Sequence, residues 1–176
     1  MDRIKSLNKN VAAGEVKEIL EEIEKSFGMI PNLFKTYAHF LPLLKANWNK
    51  VKEVMMQGDL SNKVKQTIAV LVSKDNNCKY CIAAHTAALK SIGVSDEEIK
   101  IIEDDVRRSD FSEKEKAIIG FVRKANLEPL KISDAEFNSL RQSGASDSEI
   151  IEALGVMELF TGFNKFLDSL QIGIDF

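Results

Sequence analysis

The chain has 176 residues, which is enough for one compact domain whose core needs neither a disulfide nor a metal to be stable. Its 24 Lys and Arg residues nearly balance 27 Asp and Glu residues, and no stretch is densely basic, which argues against nucleic acid as a partner. The longest apolar run, Ile68–Val72, is too short to span a bilayer, and the N-terminus lacks the apolar segment of a signal peptide. We therefore expect a cytoplasmic protein without membrane association.

Three helices are predicted in the first 58 residues. Apolar residues recur at helical spacing over Ala12–Phe27, and Gly28 is placed to end that helix. Two prolines separate a short helix near Asn32–His39 from a longer one near Pro42–Gln57, which Gly58 ends.

Four later helix starts share one signature, a Ser followed three residues on by a Glu. In such a capping box the Ser oxygen and the Glu carboxylate accept hydrogen bonds from free amides of the first turn. Only 9 glycines and 3 prolines interrupt the chain, which favours an all-helical protein. The four predicted capping boxes are Ser95/Glu98, Ser112/Glu115, Ser133/Glu136 and Ser146/Glu149.

The sequence also repeats itself at an offset of 51 residues. The pattern S-x-K-x-K-x-x-I begins at Ser61 and again at Ser112, and G-x-S-D-x-E-I begins at Gly93 and again at Gly144. Two such pairs at one offset indicate a duplicated three-helix unit. We therefore predict a single all-α domain at 1–176, made of N-terminal helices at 1–58, a first repeat at about 61–106 and a second at about 112–170.

The duplication helps to assign the β-branched segment Thr67–Val72, which could also be a buried strand. Its counterpart in the second repeat, Glu113–Lys124, has the pattern of an amphipathic helix. We therefore predict a helix in both repeats.

The candidate chemistry lies in the first repeat, at Cys78, Cys81 and His85. On a helix these residues occupy positions i, i+3 and i+7, which form one stripe. Cys78 is expected in the first turn, where the helix dipole stabilises a thiolate, and is expected to be the more exposed thiol. Cys81 has His85 at i+4, close enough to take its proton directly or through one water. The equivalent positions of the second repeat have lost this chemistry and are Pro129, Ile132 and Glu136.

Two cysteines at this spacing can cycle between a dithiol and a disulfide. A thiolate that attacks a peroxide becomes a sulfenic acid, which the neighbouring thiol condenses to a disulfide, and a disulfide substrate would undergo exchange instead. We assign Cys81 as the attacking thiol, Cys78 as its disulfide partner and His85 as proton acceptor and donor, with no cofactor. The reverse order, in which Cys78 attacks, remains open.

The cysteines and histidines could instead have a structural role, as zinc ligands or as core residues. Structural zinc usually takes four Cys or His ligands, whereas the chain has two cysteines and two histidines, so we predict no metal site. His39 is far from the motif and is expected to be structural. Four further side chains are expected to pack the core, although some could line an apolar entrance: Phe34, Trp48, Met55 and Met56.

The segment Cys78-Lys-Tyr-Cys81-Ile-Ala-Ala-His85-Thr, with the flanking 61–77 and 93–99, resembles the alkylhydroperoxidase D-like, or carboxymuconolactone decarboxylase, superfamily. The segments Gly28–Phe34 and Phe163–Leu167 resemble its peroxidase-related branch. The resemblance implies an all-helical fold with duplicated halves that assembles as a dimer, trimer or hexamer. It also implies a peroxide-reducing or disulfide-exchanging dithiol in which Cys81 is peroxidatic and His85 belongs to a proton relay.

The chain departs from the family pattern at two positions. Gln66 replaces the relay Glu usually found twelve residues before the first cysteine, and Tyr80 stands where some members have a second histidine. A glutamine can orient a water but cannot accept its proton at neutral pH. Decarboxylases of the superfamily generally lack the cysteine pair, which disfavours that activity. We therefore expect a peroxidase that uses a hydroperoxide and a dithiol or protein reductant, or alternatively a weakly active or non-enzymatic redox-sensing oligomer.

Overall fold

A computed structural model describes residues 2–175; the predicted domain also includes Met1 and Phe176, which lie outside the described residues. Within residues 2–175 the regular structure is entirely helical, as predicted. Three short 3-10 turns accompany nine α-helices, which we number in chain order: α1 Gly14–Phe27, α2 Asn32–Tyr37, α3 Leu41–Met55, α4 Asn62–Asp75, α5 Lys79–Ser91, α6 Asp96–Asp105, α7 Glu113–Leu127, α8 Asp134–Gln142 and α9 Asp147–Leu170.

The three N-terminal helices begin and end within about two residues of the predicted positions. Gly28 ends α1 with a left-handed backbone (φ +76°), a conformation that glycine adopts without steric cost. Phe27 at the end of α1 packs edge-on against Trp48 of α3, with 5.5 Å between ring centroids. Trp48 in turn contacts Phe34 of α2, so aromatic packing joins these helices.

Helix α4 is the central helix of the fold and packs against α5, α7 and α9. Its segment Thr67–Val72 is fully buried, because neighbouring helices cover it on several sides. That burial explains the continuous apolar run that resembled a strand in the sequence. The prediction of a helix at this position is confirmed.

Three of the four predicted capping boxes are complete, at Ser112, Ser133 and Ser146. At Ser95 only half of the box forms, so that prediction was wrong in part. The Ser95 hydroxyl accepts from the Glu98 amide at 3.1 Å, but the Glu98 carboxylate accepts from the Asp110 amide at 3.3 Å instead of reaching back. The helix starts nevertheless keep the 51-residue offset of the sequence repeat. Helix α7 begins 51 residues after α4, and α9 begins 51 residues after α6.

The expected core aromatics Phe34 and Trp48 are buried, as predicted. Met55 is half-buried and Met56 is 44% exposed, so the prediction of a core position for Met56 was wrong. Both methionines line a cavity, which is the alternative position considered for them. His39 is exposed, and its Nε2 lies 2.8 Å from the Lys5 carbonyl oxygen, in keeping with a structural role.

A buried ion pair fastens the 56–61 loop, which joins α3 to α4. Lys65 of α4 is only 3% exposed, and its Nζ lies 2.5 Å from Oε1 of Glu152 in α9. The Glu152 carboxylate also accepts hydrogen bonds from the Asp59 and Leu60 amides, and Lys65 donates to the Gln57 carbonyl. We call this group the Lys65–Glu152 clasp.

Gly58 lies at the centre of the same loop and has φ +100°. A Cβ at this position would overlap the Glu152 carboxylate, and the backbone conformation itself disfavours any other residue. The loop can therefore wrap closely around the carboxylate only with glycine at position 58.

In the described part of the chain, no helix has both the length and the apolar character needed to cross a membrane.

Candidate active site

The turn between α4 and α5 positions the two cysteines. The Cys78 amide donates to the Ser73 carbonyl at 2.9 Å, and Asn77 adopts a left-handed backbone (φ +61°) that reverses the chain. Cys78 is the N-cap of α5, which begins at Lys79, so Cys81 rather than Cys78 lies in the first helical turn. The prediction that Cys78 lies in the first helical turn was therefore wrong, and the helix dipole acts more directly on Cys81.

Both thiols are free and both are buried. Cys78 is 0% exposed and Cys81 is 2% exposed, so the prediction that Cys78 is the more exposed thiol was wrong. The reason is tertiary packing: the end of α4 and helix α9 cover the start of α5, which sequence spacing alone does not reveal. Cys81 contributes to a cavity wall, whereas Cys78 lies behind it in the core.

The electrostatics of the two thiols are tightly coupled. A hydrogen bond from the Cys81 thiol lowers the pKa of Cys78, opposed by burial and by the Asp168 carboxylate. The same hydrogen bond raises the pKa of Cys81, and burial adds to that effect. The two thiols therefore titrate as a pair, in which Cys78 is the more acidic member.

His85 contacts Gln66 rather than the thiols. Its Nδ1 lies 2.7 Å from Oε1 of Gln66, and the Gln66 amide nitrogen donates to Asn62 at 3.2 Å. This orientation of the glutamine assigns the imidazole proton to Nδ1 and leaves Nε2 as an acceptor. Burial lowers the pKa of His85 to about 3, so the imidazole is neutral at physiological pH.

Of the two contacts expected between His85 and Cys81, directly or through one water, the direct hydrogen bond does not form. Among residues 2–175 no hydrogen bond joins His85 to either cysteine, and the imidazole instead packs edge-on against Phe160, with 4.3 Å between ring centroids. The ring is half-buried because it also lines the cavity. His85, Gln66 and Cys81 thus border one cavity without forming a direct relay.

Tyr80 connects α5 to the C-terminal residues. Its hydroxyl donates to Asp175 at 2.7 Å and accepts from the Leu33 amide at 3.4 Å, while its side chain borders the cavity. Burial, followed by the hydrogen bond with Asp175, raises the pKa of Tyr80, so the hydroxyl keeps its proton. A role for Tyr80 or Gln66 in orienting water stays a prediction.

The cavity beside Cys81 has a volume of about 650 Å³ and no charged lining. Among residues 2–175 no Asp, Glu, Lys or Arg contributes to its wall, and the two ionisable neighbours of Cys81 there, His85 and Tyr80, are held neutral. Four phenylalanines and three methionines also contribute to the wall, among them Phe27, Phe34, Met55, Phe160 and Phe163.

Sequence reasoning missed two polar residues next to the dithiol, Ser73 and Asn164. Both are fully buried, and the Asn164 amide donates to the Ser73 hydroxyl at 3.0 Å. Asn164 interrupts the otherwise apolar stripe of α9 between Phe160 and Leu167, which was the available signal. In the described part of the chain, no group of three or more His, Cys, Asp or Glu side chains is arranged to hold a metal ion.

Comparison with known proteins agrees with the resemblance seen in the motif. An alkyl hydroperoxide reductase of Mycobacterium tuberculosis is 29% identical over 85 residues, which cover 48% of this chain. The match spans only about a quarter of that relative's length.

Solved structures share the fold over nearly the whole chain. An alkylhydroperoxidase AhpD core, a peroxidase-related protein from Ralstonia eutropha JMP134, superposes with a TM-score of 0.88 at 20% identity, covering 99% of this chain and 92% of that one. A cysteine-to-alanine variant of the debrominase Bmp8, in complex with 2,3,4-tribromopyrrole, has a TM-score of 0.84 at 18% identity, covering 98% and 91%. The sequence model of the carboxymuconolactone decarboxylase family matches residues 42–124. Residues 42–124 therefore belong to the carboxymuconolactone decarboxylase family, within a chain that has the alkylhydroperoxidase D-like fold.

Proposed function

We propose that the chain is a cofactor-free peroxidase that reduces uncharged organic hydroperoxides at Cys81, with Cys78 as the resolving thiol. The observation that carries the proposal is the position of the two sulfurs. Cys81 faces an uncharged cavity large enough for an organic substrate, and Cys78 is hydrogen-bonded behind it. In this arrangement the Cys81 sulfur would meet the substrate, and the Cys78 sulfur would be close enough to form the disulfide in the second step.

The reaction consists of two balanced steps. The Cys81 thiol proton passes to the Cys78 sulfur as the Cys81 sulfur attacks the distal peroxide oxygen. The O–O bond breaks, the alkoxide takes up that proton and leaves as an alcohol, and Cys81 becomes a sulfenic acid. The Cys78 sulfur then attacks the Cys81 sulfur; the S–O bond breaks, the hydroxide leaves and is protonated to water, and a disulfide forms. An external dithiol or protein reductant restores both thiols by exchange.

The cavity wall favours neutral substrates over charged ones. A carboxylate that enters a pocket without a cationic partner loses its hydration and gains no ion pair, which costs several kcal/mol. The aromatic side chains that line the cavity favour a substrate with an apolar or aromatic body.

This preference gives the test of the proposed function. With dithiothreitol as reductant, we expect kcat/KM for cumene hydroperoxide to exceed that for its para-carboxylated analogue by about tenfold or more. Peptide mapping should show one Cys78–Cys81 disulfide per hydroperoxide reduced in a single turnover. Absence of hydroperoxide consumption would refute the peroxidase proposal, and equal rates for the two substrates would refute the assigned substrate class.

Reductive dehalogenation is a second candidate, favoured by the aromatic lining of the cavity and by the fold shared with the debrominase Bmp8. Two thiols and one aryl bromide would give one disulfide, one dehalogenated arene and one HBr. Incubation of the reduced protein with 2,3,4-tribromopyrrole should then release one bromide per disulfide formed. Disulfide formation with cumene hydroperoxide but without bromide release from the pyrrole would exclude this candidate.

Gln66→Glu separates a catalytic dithiol from a redox-sensing one. A carboxylate at the His85 Nδ1 would supply the proton acceptor that glutamine lacks, and general-base catalysis contributes about 10²–10⁴-fold, so the single-turnover oxidation rate should rise at least tenfold.

Asn62→Asp is the matched control, because it adds the same charge to the same cavity wall, at a residue that is hydrogen-bonded to Gln66 and not to His85. If Gln66→Glu leaves the rate unchanged while oxidation alters the oligomer size, the redox-sensing homo-oligomer becomes the better description. Stopped-flow oxidation and light scattering supply the two measurements.

A further inference from the structure

A network of buried and partly buried polar side chains lies behind the dithiol. Asn164 of α9 donates to the Ser73 hydroxyl of α4 at 3.0 Å, and its own carbonyl accepts from Asn76 at 3.0 Å. Asn76 and Asn126 exchange hydrogen bonds, and Thr161 donates to Asn126 at 3.0 Å. These contacts fix the orientation of the Asn164 amide, because its oxygen and one N–H are already assigned.

Two hydrogen-bond donors of this network have no acceptor among these contacts. The Asn164 amide has a second N–H, and the Ser73 hydroxyl accepts from Asn164 but still has its own proton to donate. Both residues are 0% exposed, so bulk water does not reach them. Buried donors are nearly always hydrogen-bonded, so we expect an acceptor close to both.

Cys81 is the neighbouring thiol on which both side chains act. The Ser73 carbonyl accepts from the Cys78 amide at 2.9 Å, which places the end of α4 directly against the dithiol turn. Hydrogen bonds from Asn164 and Ser73 both act to lower the pKa of Cys81, against the raising effects of its partner thiol and of burial. Neither residue belongs to the cavity wall, so both reach the sulfur from the interior.

We propose that Ser73 and Asn164 form a buried donor pair that stabilises the negative charge of the Cys81 thiolate from the side away from the substrate. This role rests on the proposed function, because it concerns the activation of the same attacking thiol. Its donors are neutral and already oriented, so they stabilise charge on sulfur without a proton transfer. This arrangement gives Cys81 a source of activation that depends neither on the neutral His85 nor on a carboxylate at Gln66.

The test measures the acidity of Cys81 in a Cys78→Ser background, where Cys81 is the only thiol. In that background Ser73→Ala should raise the pH midpoint of iodoacetamide alkylation by about one unit, a tenfold loss of thiolate. The rate of sulfenic acid formation with cumene hydroperoxide should fall about tenfold at pH 7 and approach the parent rate above the new midpoint. Alkylation requires no peroxidase activity, so this test can succeed even if the proposed function fails.

Thr67→Val is the matched control, because the Thr67 hydroxyl is equally buried in the same helix but has no hydrogen-bond partner among the described residues. Thr67→Val should leave the alkylation midpoint unchanged. Ser73→Thr, which keeps the hydroxyl, should also have the midpoint of the parent. Asn164→Asp, of equal volume, replaces the N–H donors by oxygen and should raise the midpoint further. An unchanged midpoint in Ser73→Ala and in Asn164→Asp, or an equal shift in Thr67→Val, would overturn the proposal.

Discussion

Cys81→Ser is expected to abolish hydroperoxide reduction, whereas Cys78→Ser should complete one turnover and stop at a sulfenic acid. Serine has nearly the volume of cysteine, but its hydroxyl does not ionise near neutral pH and is a poor nucleophile toward peroxide oxygen. Removal of Cys78 leaves the attacking sulfur at the cavity wall and takes away only the thiol that condenses with it. The expected loss for Cys81→Ser is at least a thousandfold in kcat/KM.

The two variants also distinguish the two possible orders of attack. Peroxide consumption in the steady state checks the first expectation, and trapping with dimedone followed by mass spectrometry checks the second. If Cys78 attacks first, the outcomes exchange: Cys81→Ser would accumulate the sulfenic acid, on Cys78. Thermal unfolding of each variant supplies the control, since both side chains lie in the core.

Glu152→Ala is expected to lower the free energy of unfolding by about 3–5 kcal/mol, the typical cost of leaving a buried charge without its partner. In the Lys65–Glu152 clasp the lysine side chain is 3% exposed and the glutamate side chain 11%, so water replaces the lost partner poorly. The amides of Asp59 and Leu60 lose their acceptor at the same time. Urea unfolding followed by circular dichroism measures the effect.

Glu158→Ala is the matched control on the same helix. The Glu158 side chain, which pairs with Lys50, is 71% exposed. Such surface pairs contribute at most about 1 kcal/mol to the free energy of unfolding. A double variant, Lys65→Met with Glu152→Leu, should recover part of the loss because it removes both buried charges. Equal effects of Glu152→Ala and Glu158→Ala would show that the clasp contributes no more than a surface pair.

The helical architecture was predictable because its signals are local. Glycine at position 28 and the serine caps at 112, 133 and 146 act within one turn of a helix, and each lies where the sequence pattern indicated. The spacing of Cys78, Cys81 and His85 likewise reported that they share one short segment of chain. Their detailed roles depend on other segments.

The parts that sequence missed arise from tertiary contacts. The burial of Cys78 depends on α4 and α9 covering the start of α5, and no spacing within the motif encodes that. The His85 partner, Gln66, is on another helix, and their contact follows from how α4 packs against α5. Asn164 is more than eighty residues from Cys81, so a lone asparagine in an apolar stripe could not be connected with a thiol.

The burial of Cys78 limits how an oxidised dithiol would be reduced. An incoming reductant can approach only the sulfur that borders the cavity, so the mixed disulfide would form on Cys81 and Cys78 would be the leaving thiolate. The hydroperoxide and its reductant would then use the same opening in succession. A slender dithiol should therefore regenerate the protein faster than a folded protein whose own cysteines lie on a flat surface.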